Sequence, residues 1–421
     1  MPLVRLSQLF IYSTLIFLLF SYSDLIANTI KVCPDCGIAS VRQAVAIALP
    51  GDTVLVKDAT YAEHDILIDK PVTIIGENHP TIDAQGQGYI FKVYADSVTI
   101  RGLKLKNVEV SYISDFAAIY TSKVRHFIFE NNILEDIFFG FLIEKSHNGI
   151  LKNNIIRGNA VKEHSSGNGI HLWHSSKIQI LDNRIEKMRD GIYLEFVKHS
   201  EIKGNISLNN LRYGLHFMFS NDDRYEDNIF EKNGAGVAVM FSKQIFMRHN
   251  TFRLNWGTAS YGLLLKEIND ANIVNNTFEQ NTIGINADGS NRITYEKNTF
   301  HNNGWAVRFL GACYGNKLLQ NNFLNNALDI SYVGRMNGNI FDKNFWSDYT
   351  GYDLNKDNIG DVPYRPVKLF SYIVNQTPET IILLRSLFVD IINFSEKVSP
   401  IFTPDNLQDL NPAMVPIINY D

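Results

Sequence analysis

The sequence has no excess of basic charge, few cysteines and few long uncharged apolar runs. Each of these features would have indicated a particular class of protein. Its 39 lysines and arginines are outnumbered by 44 aspartates and glutamates, and the net charge of −5 argues against a nucleic-acid-binding protein. Beyond the N-terminus no segment of about 20 residues is free of charge, so no membrane-spanning helix is predicted. With 45% apolar residues in 421, the chain can nevertheless form a large core.

The N-terminus is typical of a secretory signal peptide. Arg5 precedes an apolar run at residues 9–20, which is too short for a spanning helix, and small residues lead to a cleavage position after Ala27. Residues 1–27 are therefore assigned to a signal peptide, and the remainder is expected to be exported. An uncleaved N-terminal anchor is the alternative.

Two of the three cysteines lie just after this cleavage position. In an oxidising compartment Cys33 and Cys36 are expected to form a disulfide. The same spacing also permits a thiolate pair for Cu(I), which is the alternative. Cys313 has no neighbouring cysteine and is predicted to pack as a small apolar residue.

A repeat of about 22 residues dominates the rest of the chain. Glycine followed by alternating apolar residues recurs at Gly140, Gly169, Gly191, Gly214, Gly236, Gly262 and Gly284. Asparagine, with 34 of its 44 copies between residues 131 and 344, recurs at Asn132, Asn154, Asn183, Asn205, Asn228, Asn250, Asn276, Asn298, Asn322 and Asn344. Two markers that share one period, with no helical pattern between them, predict stacked β-coils rather than βαβ units.

The predicted fold is all-β: a single-stranded right-handed parallel β-helix over residues 51–350, with about 22 residues per coil. Equivalent residues of successive coils should form columns about 4.8 Å apart. Positions one and three after the glycine are apolar and should face the core, as should a stack of Phe230, Phe252, Phe278 and Phe300. The asparagines are expected to bond amide to amide along the stack.

Both ends of such a stack need a cover, because open strand edges invite aggregation. Within residues 28–50, the amphipathic stretch 40–49 is predicted to be a capping helix. Residues 351–421 are assigned to a C-terminal loop and a helix that starts near Thr377 and covers the last coil or meets a partner.

Positions two and four after the glycine should face outward, where consecutive coils expose imidazole, aromatic and sulfur side chains. Such clustering is typical of a contact surface. The residues are His171, Trp173, Tyr193, Glu195, His216, Met218 and Met240.

Within this set, His216, Met218 and Met240 combine an imidazole with two thioethers, which suits copper and particularly Cu(I). His171 and Glu195 border them as further candidate copper ligands, and Trp173 and Tyr193 are candidate partner contacts. Packing beneath a loop or a partner is the alternative reading of the same side chains.

A carbohydrate-binding or polysaccharide-cleaving β-helix is the alternative of another class, by analogy of fold. Hydrolysis needs two carboxylates about 5 to 9.5 Å apart. On the outward face Glu144 and Glu195 lie two coils apart with Trp173 between them. The outward columns therefore favour a protein that is not an enzyme.

A separate acidic motif follows the repeats. Acids and asparagine alternate there, which gathers oxygen ligands on one side of a loop, as Ca²⁺ requires. The predicted ligands are Asp353, Asn355, Asp357 and Asp361. A structural Ca²⁺ site and a self-bonded Asx turn are both compatible with this pattern.

Several longer stretches resemble the NosD family of periplasmic accessory proteins. They are Gly191-Ile-Tyr-Leu-Glu-Phe, Arg212-Tyr-Gly-Leu-His-Phe-Met-Phe, Gly234-Ala-Gly-Val-Ala-Val-Met and Tyr364-Arg-Pro-Val-Lys-Leu-Phe-Ser. The resemblance implies a β-helix that works with the permease and ATPase of an ABC transporter and meets the membrane only through the permease. It further implies that copper arrives from a lipoprotein chaperone and that the protein helps to build the copper-sulfide centre of nitrous oxide reductase.

Overall fold

The computed structural model describes residues 27–111, 113–257, 259–398 and 407–418, so the predicted signal peptide lies outside the described residues except for Ala27. Short strands follow one another around each coil, and strands one coil apart pair in parallel. The prediction of an all-β parallel β-helix is confirmed, with three long sheets of 14, 13 and 12 strands that run the length of the molecule.

The first sheet consists of Thr29–Val32, Thr53–Val56, Thr73–Gly76, Thr99–Arg101, Ile128–Glu130, Ile150–Lys152, Gln179–Leu181, Glu201–Lys203, Arg224–Glu226, Phe246–Arg248, Asn272–Val274, Thr294–Glu296, Lys317–Leu319 and Ile340–Asp342. The second consists of Thr60–Ala62, Thr81–Asp83, Lys104–Lys106, Ile133–Glu135, Ile155–Arg157, Arg184–Glu186, Ile206–Leu208, Ile229–Glu231, Thr251–Arg253, Thr277–Glu279, Thr299–His301, Asn322–Leu324 and Phe345–Trp346. The third consists of Ile66–Ile68, Phe91–Val93, Ala117–Ser122, Phe139–Glu144, Ile170–Trp173, Asp190–Glu195, Tyr213–Met218, Ala235–Met240, Tyr261–Lys266, Ile283–Asp288, Trp305–Tyr314 and Leu328–Asn337.

The core is a set of columns of buried side chains between the three sheets. The predicted stack of Phe230, Phe252, Phe278 and Phe300 is confirmed, with centroids of neighbouring rings 4.6 to 5.4 Å apart. It continues beyond the prediction into Phe323 and then Trp346. Face-to-face contact of fully buried rings thus reinforces the step that backbone pairing sets from one coil to the next.

A ladder of buried asparagine amides runs beside this core. Each Nδ2 donates to the Oδ1 of the next rung, as from Asn228 to Asn250 at 2.9 Å, and each Oδ1 also accepts a backbone N–H. The ladder is as predicted except at one rung, where the residue is Asn321 and not Asn322. Both coils that meet at this rung are 23 residues long, whereas a spacing of 22 residues before Asn344 falls on Asn322, which begins a strand of the second sheet.

A second amide ladder was not predicted. Its rungs are Asn210, Asn233, Asn255, Asn281, Asn303 and Asn326. These amides satisfy one another's hydrogen bonds and so stabilise the turn between the second and third sheets. The first ladder stabilises the turn between the first and second sheets in the same way.

The N-terminal end is covered as predicted. The helix Val41–Ile47 buries Val41, Ala44 and Val45 against the first coils, and the Ser40 side chain accepts the backbone N–H of Gln43 as its N-cap. The Glu63 carboxylate accepts the N–H of Val41 at 2.7 Å, which satisfies another donor of the first helical turn.

Cys33 and Cys36 form a disulfide in the segment before this helix. The first of the two alternatives for this pair is therefore the one observed, and in this form neither sulfur is a thiolate that could bind copper. The prediction that both are copper ligands is wrong for the oxidised protein.

The C-terminal end is closed by a returning segment. Asp409 and Ala413 continue the first and second sheets beyond Phe341 and Phe345. The Asp409 carboxylate accepts from the side chains of Asn344 at 3.0 Å and Trp346 at 3.1 Å, so it ends the amide ladder.

The predicted C-terminal helical region comprises Leu369–Gln376, the 3-10 turn Pro378–Leu383 and Leu387–Val398, and a further 3-10 turn, Glu163–Ser165, lies in an earlier loop. Leu369–Gln376 lies beside the last strand of the third sheet, where the Asn375 side chain donates to the Ser331 hydroxyl at 2.8 Å. Its Ser371 and Asn375 side chains also donate to the Ile330 and Tyr332 carbonyls of that strand, so the helix covers the open edge of the third sheet, while the returning segment covers the other two. No helix in the described residues has the length and apolarity to cross a bilayer.

Truncating one ring of the stack should destabilise the whole solenoid. Phe252→Ala removes a fully buried ring between two neighbours, and we expect the free energy of unfolding to fall by about 3 to 5 kcal/mol through lost burial and the cavity left behind. Chemical denaturation measures this loss. A loss below about 1 kcal/mol would mean that the ring carries little of the coil packing.

Candidate functional site on the outer face of the third sheet

The outward columns of the third sheet lie in the predicted register. His171, Tyr193 and His216 are successive partners in one column. The neighbouring column runs through Trp173, Glu195, Met218, Met240 and Lys266. We refer to His171, Tyr193, Glu195, His216, Met218 and Met240 as the His-Met face.

His216 is buried, with 4% of its surface exposed, although the sequence predicted an exposed side chain. The rings of Tyr193 and Tyr213 pack against it with centroids 4.8 and 4.7 Å away. Arg212 donates to its Nδ1 at 3.1 Å. The side chain does point outward from the sheet, but its neighbours on the same face cover it.

Arg212 also binds Asp190 in a bidentate pair, at 3.1 and 3.0 Å. The Asp190 side chain is fully buried, and such a charge is stable only when it is paired. Its Oδ2 lies 3.6 Å from Nδ1 of His216. Asp190, Arg212 and His216 therefore form one polar network, in which Asp190 and His216 are buried and Arg212 is partly exposed.

This network determines which nitrogen of His216 carries a proton. Arginine is always a donor, so Nδ1 must accept from Arg212 and the neutral ring carries its proton on Nε2. Within the described residues Nε2 has no hydrogen-bond partner. If Nε2 bound a metal, the ring proton would have to leave or move to Nδ1, where the Asp190 carboxylate could accept it.

His171 is held neutral. Burial, reinforced by the positive charge of Arg189, lowers the pKa of His171 to about 4. Its ring lies between Phe139 and Tyr193, and neither ring nitrogen has a partner among the described residues. At neutral pH it therefore offers an unprotonated nitrogen, two coils away from His216.

Met218 and Met240 lie side by side on adjacent strands. The Tyr193 hydroxyl donates to the sulfur of Met218 at 3.7 Å. Burial raises the pKa of Tyr193 to about 12, so the phenol keeps its proton and remains a donor. Glu195 precedes Met218 in the same column, which places a carboxylate one coil from Met218 and two coils from Met240.

Other predicted site residues lie elsewhere. The ring of Trp173 lies under the ammonium group of Lys145 at 4.8 Å and meets His174 edge-on. Cys33 and Cys36 lie at the first coils, far along the chain from this face. In the described ranges no three His, Cys, Asp or Glu side chains are grouped to hold a metal, so a copper site on the His-Met face depends on its thioethers.

Two features of the site were missed from the sequence. Asp190 and Arg212 lie one and two residues before their repeat glycines, where nothing in the sequence distinguishes them from other polar residues near a strand start. The fifth position after the glycine is also a column, which holds His174, Phe196, Phe219 and Phe241 in successive coils. Reading every position of the repeat in this way would have found the aromatic column.

The acidic loop after the solenoid is held by its own hydrogen bonds. Asp353 accepts the backbone N–H groups of Lys356 at 2.6 Å and Asn358 at 2.9 Å, and Asp361 accepts that of Leu354 at 2.7 Å. The remaining predicted ligands bond within the same loop, where the Asn355 amide donates to the Asp357 carboxylate at 3.1 Å. These contacts are those of Asx turns.

Because the loop is self-bonded, we expect a calcium chelator to leave the melting temperature of the protein unchanged. Thermal unfolding followed with and without chelator measures this directly. A lower melting temperature that added Ca²⁺ restores would instead support calcium at Asp353, Asn355, Asp357 and Asp361.

Comparison with known proteins finds one family. Residues 153–351 match the family described as periplasmic copper-binding protein (NosD). A Pseudomonas aeruginosa protein named probable ABC transporter binding protein NosD is 25% identical over 405 residues, covering 83% of this chain and 85% of that protein. A protein of the same name from Stutzerimonas stutzeri is 25% identical over 364 residues, covering 82% of this chain and 83% of its own length.

Solved structures resemble the chain in fold. The catalytic domain of a GH87 α-1,3-glucanase superposes with a TM-score of 0.56 at 13% identity, covering 74% of this chain and 69% of that one. The Dettilon tailspike protein gives 0.52 at 13% identity, covering 72% and 62%. At such identities the likeness concerns the solenoid alone.

Proposed function

Since the chain belongs to the NosD family of periplasmic copper-binding proteins, we propose that it accepts Cu(I) on its His-Met face and presents it for assembly of the copper-sulfide centre of nitrous oxide reductase. In this proposal the protein is an accessory component and not an enzyme. It works beside the permease and ATPase of an ABC transporter and receives copper from a lipoprotein chaperone.

The observation that carries the proposal is the pairing of Met218 with Met240, with His216 on the same strand as Met218. Thioethers are soft ligands that suit Cu(I), and strands one coil apart bring two flexible methionine side chains within reach of one ion. The three residues also lie inside the segment that matches the family.

The residues behind the face support a transferable site. Nε2 of His216 is unpartnered within the described residues, and Asp190 lies close to Nδ1 on the far side of the ring. Once Nε2 binds a metal and the ring proton moves to Nδ1, in place of the hydrogen bond from Arg212, a carboxylate in that position would orient the imidazole and raise its basicity. In contrast, the hydrogen bond from Tyr193 to the Met218 sulfur competes with copper and favours release.

Because Arg212 keeps the proton on Nε2, binding of copper there would displace that proton or shift it towards Asp190. Copper transfer at His216 would thus be coupled to proton movement inside a buried network. Glu195 and His171 border the site, the first as a carboxylate beside Met218 and the second as a neutral imidazole.

Replacing both thioethers should remove the site while leaving the fold intact. We expect Met218→Leu with Met240→Leu to weaken Cu(I) binding by more than about tenfold, since losing even a supporting contact of a metal ligand typically costs 10- to 100-fold. Competition with a colorimetric Cu(I) chelator measures the affinity, and the copper content of the reductase made in cells with this variant measures the consequence.

Met247→Leu is the matched control, because Met247 is buried in the core and should not bind copper. It should retain wild-type Cu(I) affinity. An unchanged affinity in the double variant would remove the ligand role from Met218 and Met240. An unchanged affinity together with a copper-poor reductase would leave the face a role in docking only.

A further inference from the structure

We propose that the turn between the third and first sheets is a docking site for an extended, acidic and apolar segment of a partner protein. This surface, the basic-aromatic ridge, adjoins the His-Met face but shares no residue with it. It comprises Lys123, Arg125, His126, Lys145, His147, His174, Lys177, Phe196, Lys198, His199, Phe219 and Phe241.

Four rings of the ridge form an exposed ladder. His174 stacks on Phe196 with centroids 4.5 Å apart, and Phe196, Phe219 and Phe241 follow at steps of 5.2 Å with planes within about 15° of parallel. Phe196 and Phe219 are 38% and 39% exposed. A contiguous exposed apolar stripe of this kind marks a contact surface more often than a folding requirement.

The backbone beneath the ladder supports a functional origin. Phe196, Phe219 and Phe241 have φ values of +55°, +50° and +54°, a left-handed conformation that bulky side chains adopt only at a cost. In later coils the same turn position holds Glu267, also at φ +54°, and then Gly289 and Gly311. Three successive phenylalanines at a position that favours glycine or asparagine are therefore not explained by folding alone.

The charge of the ridge specifies its occupant. The two turns at Phe219 and Phe241, 219–222 and 241–244, hold one acid, Asp222, and one cation, Lys243. In contrast, the turn segments 123–126, 145–148, 174–177 and 196–199 contain five lysines and arginines and four histidines but no acid, although the whole chain carries a net charge of −5. Among the described residues, none of these five cations is in a salt bridge. An acidic partner would find a locally positive surface on a negative protein.

The shape of the ridge favours a protein segment over a sugar or a bilayer. Beside the ladder lies a groove of about 560 Å³ lined by His147, His174, Ser175, Ser176, Phe196, Lys198, Phe219 and Asn221. A sugar binds to the face of an aromatic ring, and stacking covers the faces of these rings. A membrane is flat, and half-covered rings beside a concave groove cannot insert into it. The exposed ring edges are electropositive and favour carbonyl, carboxylate or sulfur atoms.

The ladder spans about 15 Å, the length of about five residues of extended chain. An extended segment with alternating acidic and aromatic residues would place carboxylates on the lysines, and its backbone carbonyls and ring faces against the ring edges. Such a segment would match the ridge in length, charge and apolar character.

The test uses the mature protein and a fluorescent peptide of alternating glutamate and phenylalanine. We expect binding that weakens as salt is added. The charge variant, Lys145→Glu with Lys198→Glu, and the ring variant, Phe196→Asn with Phe219→Asn, should each weaken it by at least about tenfold. The ring variant should melt at the same or a higher temperature, because asparagine tolerates the left-handed conformation.

The control variant, Lys152→Glu with Lys187→Glu, makes the same charge change outside the ridge and should bind the peptide as the wild type does. All variants keep Met218 and Met240, so unchanged Cu(I) affinity separates this proposal from the copper proposal. Failure of the peptide to bind, equal binding of the ring or charge variant, or equal binding of a peptide with lysine for glutamate would overturn the proposal. Binding to phosphatidylglycerol vesicles in place of the peptide would also overturn it.

Discussion

The register between successive coils is the constraint on which everything else in this molecule depends. Parallel backbone pairing sets the step, and the phenylalanine stack and the asparagine ladder prevent a coil from slipping against the next. A slip of one residue would turn the inward side chains outward. Because the register holds, the residues at one position of the repeat form a straight line of side chains on the surface. A functional surface can therefore be built from one or two such columns.

Much of this could be predicted from the sequence, because glycine and asparagine mark each coil independently. The inward columns and the Phe252 stack followed directly. The one error in the ladder, Asn322 in place of Asn321, arose where the coil length changes from 22 to 23 residues. Periodicity alone could not show which residue is the rung, because positions 321 and 322 are both asparagine.

The chemistry of the site could be predicted less well, because it depends on contacts between columns. The columns correctly predict that His216, Met218 and Met240 share one face. They do not predict that aromatic neighbours bury His216. Nor does spacing show that Arg212 binds Asp190 and His216 together. Those contacts depend on side-chain directions across strands, which no repeat count supplies.

The most direct test of the account is X-ray absorption at the copper edge of the Cu(I)-loaded protein. Copper held by Met218, Met240 and His216 predicts sulfur scatterers from thioethers together with one nitrogen, and the sulfur signal should vanish in the variant that carries leucine at both methionine positions. A spectrum with nitrogen and oxygen scatterers only, or one that the leucine variant leaves unchanged, would contradict a copper site on this face.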